Sequence, residues 1–257
     1  MNPVAFNLFG LEIRWYGILI GLGVILSLVL TWYNCKRKNL SFDLVTDCFL
    51  WAFPFAIIGA RLYYVAFEFD SYKDNLVDII NIRLGGLAIH GGLIAAFIVV
   101  FIFAKVKKMN LIEYVDVVAP AIILAQAVGR WGNFMNSEAH GGPVSEEFIN
   151  HFPNFIKQGM YIRGVYYHPT FLYESMWNLL VCVILLFILY KKNEKQRGIV
   201  ICSYVSLYSL GRFFVEGLRT DSLMFMGLRI AQLVSIIGVV AGIIGIIVIN
   251  MKSKKLR

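Results

Sequence analysis

Charged residues are scarce in this chain of 257 residues. Asp, Glu, Lys and Arg make up 16% of the sequence, whereas hydrophobic residues make up 59%. Soluble domains have about 25% charged residues, so this composition excludes an ordinary soluble protein and favours an integral membrane protein. The formal net charge is +8. Because the basic residues lie in short loops between apolar runs, this charge suits membrane topology and anionic lipid better than nucleic acid.

Domain linkers are also lacking. The chain contains only 6 prolines, and no Gly/Ser-rich or proline-rich stretch divides it. We therefore predict one integral membrane domain over residues 1–257. The longest segment outside the apolar runs, 136–169, is predicted to be an extracytoplasmic loop or head region, compatible with a lid or substrate platform.

Cysteine is rare, and its placement excludes a disulfide scaffold. Cys35, Cys48 and Cys202 lie at or near predicted inner helix ends, and Cys182 lies within an apolar run. They lack metal-ligand spacing, so we expect small buried side chains. The HExxH, CxxC and P-loop patterns are also missing, and we expect neither a metal nor an organic cofactor.

Seven long apolar runs dominate what is present. Each approaches or reaches the roughly 20 residues that a helix needs to cross a bilayer, and none shows the alternation of a barrel strand. The fold class predicted is all-α, a polytopic membrane protein with seven transmembrane helices. Gly17-x-x-x-Gly21 and Gly238-x-x-x-Gly242 are typical of close helix packing. The runs are 16–33, 48–67, 87–104, 112–129, 170–190, 198–215 and 229–250.

The distribution of basic residues predicts the orientation. Four short segments, 34–47, 105–111, 191–197 and 251–257, carry more than half of the 24 Lys and Arg residues. Other basic residues, such as Arg83, are spread over longer stretches. We therefore expect the N-terminus outside and the C-terminus in the cytoplasm. The opening residues lack a signal-peptide pattern, so we expect an uncleaved first helix.

Polar and charged side chains, which are energetically unfavourable in a membrane, lie together at the predicted outer end of the bundle. Such residues in membrane helices usually mark a functional site. Asp116, near an inner end, is the exception. The collected residues come from six different helices and predict an active site that opens to the outer leaflet. They are Tyr16, Arg61, His90, Arg130, Glu174, Arg212, Glu216 and Arg219.

Structural interpretations of these residues stay open. Arg212 and Glu216 fit an intrahelical ion pair, with Arg219 reaching to the interface. Tyr16 fits an aromatic belt, and His90 fits a packed histidine. Each structural explanation fits its own residue, but six such explanations on the same side of the membrane are much less expected together.

Two further features have a structural alternative. Arg61 fits a bridge to Glu68 or Glu174. The glycine pairs at 85–86 and 91–92 fit helix packing, although we favour the interpretation that bare backbone lets a headgroup approach the neighbouring imidazole.

Motifs along nearly the whole chain resemble those of the bacterial prolipoprotein diacylglyceryl transferase family. The run Gly129–Gly141 matches the form Gly-Arg-x-Gly-Asn-Phe-x-Asn-x-Glu-x-x-Gly, which contributes Asn133, Asn136 and Glu138. Phe171 departs from the family, in which many members have Gln. The other motifs, in family order, are Arg14-Trp15-Tyr16-Gly17, His90-Gly91-Gly92, His168-Pro169-Thr170-Phe171-Leu172-Tyr173-Glu174 and Tyr208-x-x-x-Arg212-Phe213-x-x-Glu216-x-x-Arg219.

The resemblance implies transfer of a diacylglyceryl group from phosphatidylglycerol to the lipobox cysteine of a preprolipoprotein. Sulfur attacks a glyceryl carbon, and glycerol 1-phosphate leaves. We expect Arg130 and Arg212 to clamp the phosphate and His90 to act as the base for the thiol. Glu174 and Arg61 are expected to support the site. The expected substrate-binding residues are Tyr16, Arg130, Asn133, Asn136, Glu138, Gly141, Tyr208, Arg212, Glu216 and Arg219.

The resemblance also implies partners and a location. The expected partners are phosphatidylglycerol and the signal-peptide helix of an exported precursor, without nucleic acid and without a cofactor. The expected location is the bacterial cytoplasmic membrane, with the active site facing the outer leaflet.

Other classes of protein fit less well. A transporter usually binds its solute near the bilayer midplane, often between repeated halves, whereas these charges lie off-centre and no repeat is detected. If the chain were a scaffold or receptor, there would be no reason for the free-energy cost of placing Arg61 within a membrane helix. An intramembrane protease is disfavoured because the Gly-x-Ser-Gly and Gly-x-Gly-Asp motifs are missing.

Overall fold

The computed structural model describes residues 1–73, 75–81, 85–225 and 227–255. Arg83, counted above in an outer segment, lies outside the described residues. The chain forms two compact units, the first made of Met1–Asn34 and Val115–Arg257 and the second of Cys35–Tyr114. The two units are described separately, and the single domain over 1–257 stays a prediction.

Seven long helices confirm the predicted all-α polytopic fold. Each is long and apolar enough to cross a membrane. Short strands and short helices occupy the segments before and between them. The long helices are α1 (Trp15–Lys38), α2 (Phe42–Phe67), α3 (Ile89–Val106), α4 (Leu111–Met135), α7 (Thr170–Lys191), α8 (Ile199–Leu218) and α9 (Ile230–Lys255).

One predicted end in each of four helices was wrong by five or six residues. Helices α1 and α9 continue beyond their predicted ends, to Lys38 and Lys255. Helix α2 begins at Phe42 rather than near residue 48, because the Ser41 hydroxyl accepts a hydrogen bond from Leu44 N at 3.4 Å and caps the helix. Helix α4 continues to Met135, so Arg130 lies inside its final turns rather than at its end. Pro120 lies inside this helix without ending it.

Polar side chains join the helices of the first unit. Ser27 Oγ of α1 donates to Ala121 O at 2.9 Å, and Ser175 Oγ of α7 donates to Ala127 O at 2.9 Å. Between α8 and α9, side chains at Gly238 and Gly242 would collide with Ser209 and Ser206. This confirms the packing interpretation for 238–242. In contrast, no described heavy atom of this unit faces Gly17 or Gly21 within 4 Å, so that pattern does not pack here.

Asp116 has a structural explanation. The buried carboxylate accepts hydrogen bonds from Gly198 N at 2.8 Å and Ile201 N at 2.9 Å, and forms an ion pair with Lys192. It therefore caps the N-terminus of α8, where a negative charge is favourable. This role accounts for its distance from the other polar residues.

The segment 136–169 packs on the ends of α4 and α7. Its strands β3 (Pro143–Val144), β4 (Tyr161–Ile162) and β5 (Val165–Tyr167) form a sheet in the order β3-β5-β4. A core of buried residues anchors the segment, and it includes the departing Phe171, whose ring stacks on Phe134 with centroids 4.4 Å apart. The short helices are α5 (Glu146–Ile149) and α6 (Asn154–Gly159), and the remaining hairpins are β1 (Val4–Leu8) with β2 (Leu11–Arg14) and β6 (Met224–Phe225) with β7 (Leu228–Arg229).

The second unit is built on the pair α2 and α3. The backbone at Gly59 approaches that of Gly91 so closely that a side chain on either would collide with the other helix. Gly92 faces Ala56 O, which a side chain would meet at 3.2 Å. The favoured interpretation of the pair 91–92, headgroup access, was therefore wrong, because both glycines are used for packing.

Candidate active site

Four charged side chains from α4, α7 and α8 meet in the first unit. Arg212 Nη1 donates to Glu174 Oε1 at 2.7 Å, and Arg212 Nη2 lies 2.5 Å from Glu216 Oε2. Arg130 Nε forms an ion pair with Glu174 Oε2. One carboxylate is therefore shared by two guanidinium groups from different helices. We call Arg130, Glu174, Arg212 and Glu216 the charged cluster.

The charged cluster is largely buried and electrically balanced. The side chains of Glu174 and Glu216 are 7% and 3% exposed, and those of Arg130 and Arg212 are 21% and 22% exposed. Two carboxylates compensate two guanidinium groups, so loss of any one partner would leave a buried charge uncompensated. Across the described ranges, no group of three His, Cys, Asp or Glu side chains is arranged to hold a metal ion.

Arg130 retains donors for a ligand. Among the described residues only its Nε has a partner, whereas Arg212 uses both terminal nitrogens. A guanidinium carries five N–H donors in a planar fork. The terminal nitrogens of Arg130 can therefore form a bidentate contact with a phosphate, while Arg212 is held by its carboxylates.

A recess of about 210 Å³ lies beside the charged cluster between α7 and α8. Tyr208 lines it, and the Tyr208 ring stacks on Tyr204 with centroids 5.8 Å apart. Asn178 was not among the predicted site residues, although an Asn four residues after Glu174 in an apolar run was a usable signal. The lining residues are Glu174, Trp177, Asn178, Tyr208, Gly211, Arg212 and Val215.

Asn133 and Asn136 hold Glu138. Their amide nitrogens donate to Glu138 Oε1 at 2.9 Å and 3.4 Å. Ser137 and Ala139 adopt positive φ values of 54° and 56°, which turn the chain sharply after α4. The asparagines therefore fix an exposed carboxylate, at the rim of a second recess of about 190 Å³ that Asn133 and Glu138 also line. Their contact with substrate stays a prediction.

Two glycines of the run Gly129–Gly141 allow close contacts. A side chain on Gly132 would approach the Tyr16 ring to 2.6 Å, so this glycine seats Tyr16 against α4. Gly141 N donates to His168 O at 3.0 Å, and a side chain at Gly141 would approach Leu218 O to 3.0 Å. Gly141 therefore lets three backbone segments meet, and its contact with substrate stays a prediction.

Arg219 lies outside the charged cluster. Helix α8 ends at Leu218, and Arg219 binds Asp221 through Nε at 2.9 Å and Nη2 at 2.7 Å. Asp221 thus holds Arg219 by direct contact, and the charges of Glu174 and Glu216 also act on its guanidinium group. Burial lowers the pKa of Arg219, but the hydrogen bond and charge of Asp221 outweigh it and raise that pKa. The same hydrogen bond lowers the pKa of Asp221.

Arg61, in the second unit, organises a connector. The side chain is buried and donates to the backbone oxygens of five residues that follow α2. The proposed bridge to Glu68 was wrong, since carbonyl groups rather than a carboxylate satisfy the guanidinium. Positive φ values at Gly85 and Gly86 aim two of these carbonyls. The acceptors are Ile79 O at 2.8 Å, Gly85 O at 2.6 Å, Gly86 O at 2.9 Å, Asp78 O at 2.6 Å and Asn81 O at 3.3 Å.

His90 is exposed at the start of α3. Its ring lies near Tyr63 of α2, with centroids 6.2 Å apart. It is therefore accessible within its unit rather than buried in the helix pair. Its assignment as a base stays a prediction.

Comparison with known proteins identifies the family. Residues 3–248 match the family model described as "Prolipoprotein diacylglyceryl transferase". A relative from Clostridium perfringens (strain 13 / Type A), named "Phosphatidylglycerol--prolipoprotein diacylglyceryl transferase 1", is 60% identical over 257 residues, which is 100% of this chain and 98% of the relative. Relatives named "Phosphatidylglycerol--prolipoprotein diacylglyceryl transferase" from Clostridium botulinum (strain Loch Maree / Type A3) and Clostridium kluyveri are each 58% identical over 255 residues, covering 99% of this chain and 100% and 99% of those proteins. The chain therefore belongs to the prolipoprotein diacylglyceryl transferase family.

Proposed function

We propose that this chain transfers the sn-1,2-diacylglyceryl group from phosphatidylglycerol to the lipobox cysteine of preprolipoproteins. This reaction is the first step of bacterial lipoprotein maturation. The observation that carries the proposal is the half-buried pair Arg130 and Arg212, held on one buried carboxylate between membrane-spanning helices. Such a pair suits the phosphate of an anionic lipid, and the names of the relatives specify phosphatidylglycerol.

The chemistry is a displacement at carbon. The cysteine sulfur forms a thioether bond to the glyceryl carbon that carries the phosphate, and the bond from that carbon to the phosphate oxygen breaks. The electron pair leaves with the oxygen as glycerol 1-phosphate, and the thiol proton passes to a base. Negative charge grows on the leaving oxygen, so preorganised donors there lower the barrier.

The charged cluster supplies those donors. Arg130 offers its terminal nitrogens to the phosphate oxygens, and Arg212 adds positive charge from the opposite side of Glu174. Glu174 and Glu216 fix both guanidinium planes, so that little reorganisation is needed during the reaction. Glu174 is in this way a supporting residue rather than a reacting one.

Residues outside the cluster receive the headgroup glycerol. Glu138 uses only Oε1 for Asn133 and Asn136, so Oε2 is left to accept a glycerol hydroxyl. Tyr16 provides a phenol group at the start of α1, and Tyr208 provides one midway along α8. His90 is assigned as the base that accepts the thiol proton, on the strength of its motif and its exposure.

The second substrate is the signal-peptide helix with its lipobox cysteine, and both substrates are proposed to arrive through the bilayer. We place the protein in the bacterial cytoplasmic membrane, N-terminus outside and C-terminus in the cytoplasm. The distribution of Lys and Arg supports this orientation. The active site then faces the outer leaflet, where exported precursors present the cysteine.

A mass measurement tests the proposed function. Purified protein is incubated with phosphatidylglycerol vesicles and a lipobox peptide, and we expect the peptide to gain one diacylglyceryl group on sulfur. A peptide with Cys→Ser and vesicles of phosphatidylethanolamine are the controls. An unchanged peptide mass with phosphatidylglycerol would refute the assignment.

A further inference from the structure

Asn178 lies two turns into α7, one turn deeper in the bundle than Glu174. Its side chain is 2% exposed, and its amide Nδ2 has no hydrogen-bond partner among the described residues. An unpaired buried donor is unfavourable, because it has lost water without gaining an acceptor. The hydrogen-bond acceptor for Asn178 is therefore expected to belong to a bound ligand rather than to the protein.

The recess beside the charged cluster is the place from which a ligand would approach this donor. Asn178 lines it together with Arg212 and Glu174. A neighbouring polar group of the recess, Trp177 Nε1, already donates to Leu207 O at 2.9 Å. Gly211 leaves the space that the Trp177 ring fills. Among the described lining residues, which also include the half-buried Tyr208, the amide of Asn178 is thus the fully buried donor without a partner.

The depth of Asn178 indicates which acceptor it takes. Four residues of helix advance by about 6 Å along the axis, so the amide lies one step below the level at which Arg130 and Arg212 meet. In a glycerophospholipid, the fatty-acyl ester carbonyls lie one step below the phosphate, toward the acyl chains. These carbonyl oxygens are acceptors without donor capacity, which matches an unpaired N–H.

We infer that Asn178 donates a hydrogen bond to an ester carbonyl of the bound phospholipid. This inference rests on the proposed function and adds a specificity to it. The contact positions the glyceryl group below the phosphate and makes the enzyme favour ester-linked over ether-linked phosphatidylglycerol. An ether lipid lacks the carbonyl, so it would leave the amide unpaired.

The test compares two lipids within each protein preparation. Transfer is measured from a diacyl phosphatidylglycerol and from the dialkyl ether analogue with the same chains, and the ratio of kcat/KM values is recorded. We expect the wild-type chain to favour the ester lipid about fivefold, as one net hydrogen bond would give. For Asn178→Leu and Asn178→Ala, the ratio should fall to about one.

A matched control separates this effect from damage to the fold. Asn34 is also fully buried in a membrane helix, where Nδ2 donates to Val117 O at 3.0 Å. We expect Asn34→Leu to reduce the yield of folded protein and to keep the wild-type ratio. Because both lipids are compared in one sample, the amount of folded protein cancels.

The outcomes distinguish the two proposals. A wild-type ratio near one, or an Asn178→Leu ratio equal to that of the wild type, overturns the carbonyl contact and leaves the transfer activity standing. No transfer from either lipid by the wild-type chain overturns the proposed function and this inference with it. Mono-ether lipids that keep only one ester then identify which carbonyl is bound, since removing that ester alone reproduces the loss.

Discussion

At the scale of single residues, the arginines differ in what holds them. Arg130 and Arg212 share a carboxylate, Arg219 is paired with Asp221, and Arg61 is satisfied by carbonyl oxygens. Among these four, only Arg130 combines a half-buried position with terminal nitrogens that have no partner among the described residues. It is therefore the residue on which the proposed phosphate contact depends most.

We expect Arg130→Lys to lower the rate of transfer by about 100-fold, because lysine keeps the charge but loses the bidentate fork. Initial rates per folded molecule would show this. The matched control is Arg163→Lys, at an exposed position in the turn between β4 and β5, which should change the rate by less than about twofold. Near-normal turnover of Arg130→Lys would remove this residue from the phosphate site.

His90→Asn tests the proposed base. If the imidazole accepts the thiol proton, the variant should lose most of its activity between pH 6 and 7 and regain part of it as rising pH forms thiolate in solution. The pH profile of kcat/KM is the measurement. High activity with an unchanged profile would show that another group takes the proton.

For single residues, the sequence predicted the ion pair whose charges follow a helical spacing. It did not predict the contacts that leave no such spacing in the sequence. Arg212 and Glu216 are spaced i, i+4, and both arginines of the cluster belong to recognisable motifs. The carbonyl partners of Arg61 carry no side-chain signal, since every residue has a backbone oxygen. The pair Arg219 and Asp221 depends on the helix ending at Leu218, an end point that apolar content does not define.

At the scale of helices, the spans were predictable and their ends were not. A continuous apolar run indicates a membrane helix because every backbone group must be paired inside the bilayer. Polar residues at the ends obscure where the helix begins or stops. Asp43 and Asp47 hid the first turns of α2, and the motif after Val128 hid the last turns of α4.

Asp116 of α4 connects two helices, because it accepts hydrogen bonds from the backbone at the start of α8. We expect Asp116→Asn to lower the free energy of unfolding by about 3–5 kcal/mol, because Lys192 would keep a buried charge without its partner. Thermal unfolding in detergent is the measurement, with the exposed Asp47→Asn as control. Transfer per folded molecule should stay at the wild-type value, and an unaffected melting temperature would contradict the capping role.

At the scale of the whole molecule, apolar side chains face outward along all seven long helices. That surface requires lipid around it, so the chemistry takes place where the lipid substrate already resides. The sequence alone predicted this much, because composition and run length are properties of the whole chain. Which basic segments face the cytoplasm is a prediction that the helices by themselves do not test.

Cysteine labelling tests the orientation in intact bacteria. Gln158 is exposed in the segment 136–169, and Glu194 is exposed between α7 and α8. We expect Gln158→Cys to react with a membrane-impermeant maleimide, and Glu194→Cys to react only after permeabilisation, each measured over the labelling of the unsubstituted chain. The reverse pattern would place the charged cluster on the cytoplasmic side.

The guanidinium that binds five main-chain oxygens has a practical consequence for protein engineering. Since the acceptors are backbone oxygens, these contacts depend on Arg61 of α2 and on the turns at Gly85 and Gly86. They do not depend on the other side chains of the connector. Reporter groups can therefore be introduced at exposed connector positions such as Val77 without removing any of these five contacts. Replacing the arginine would instead release the whole connector at once.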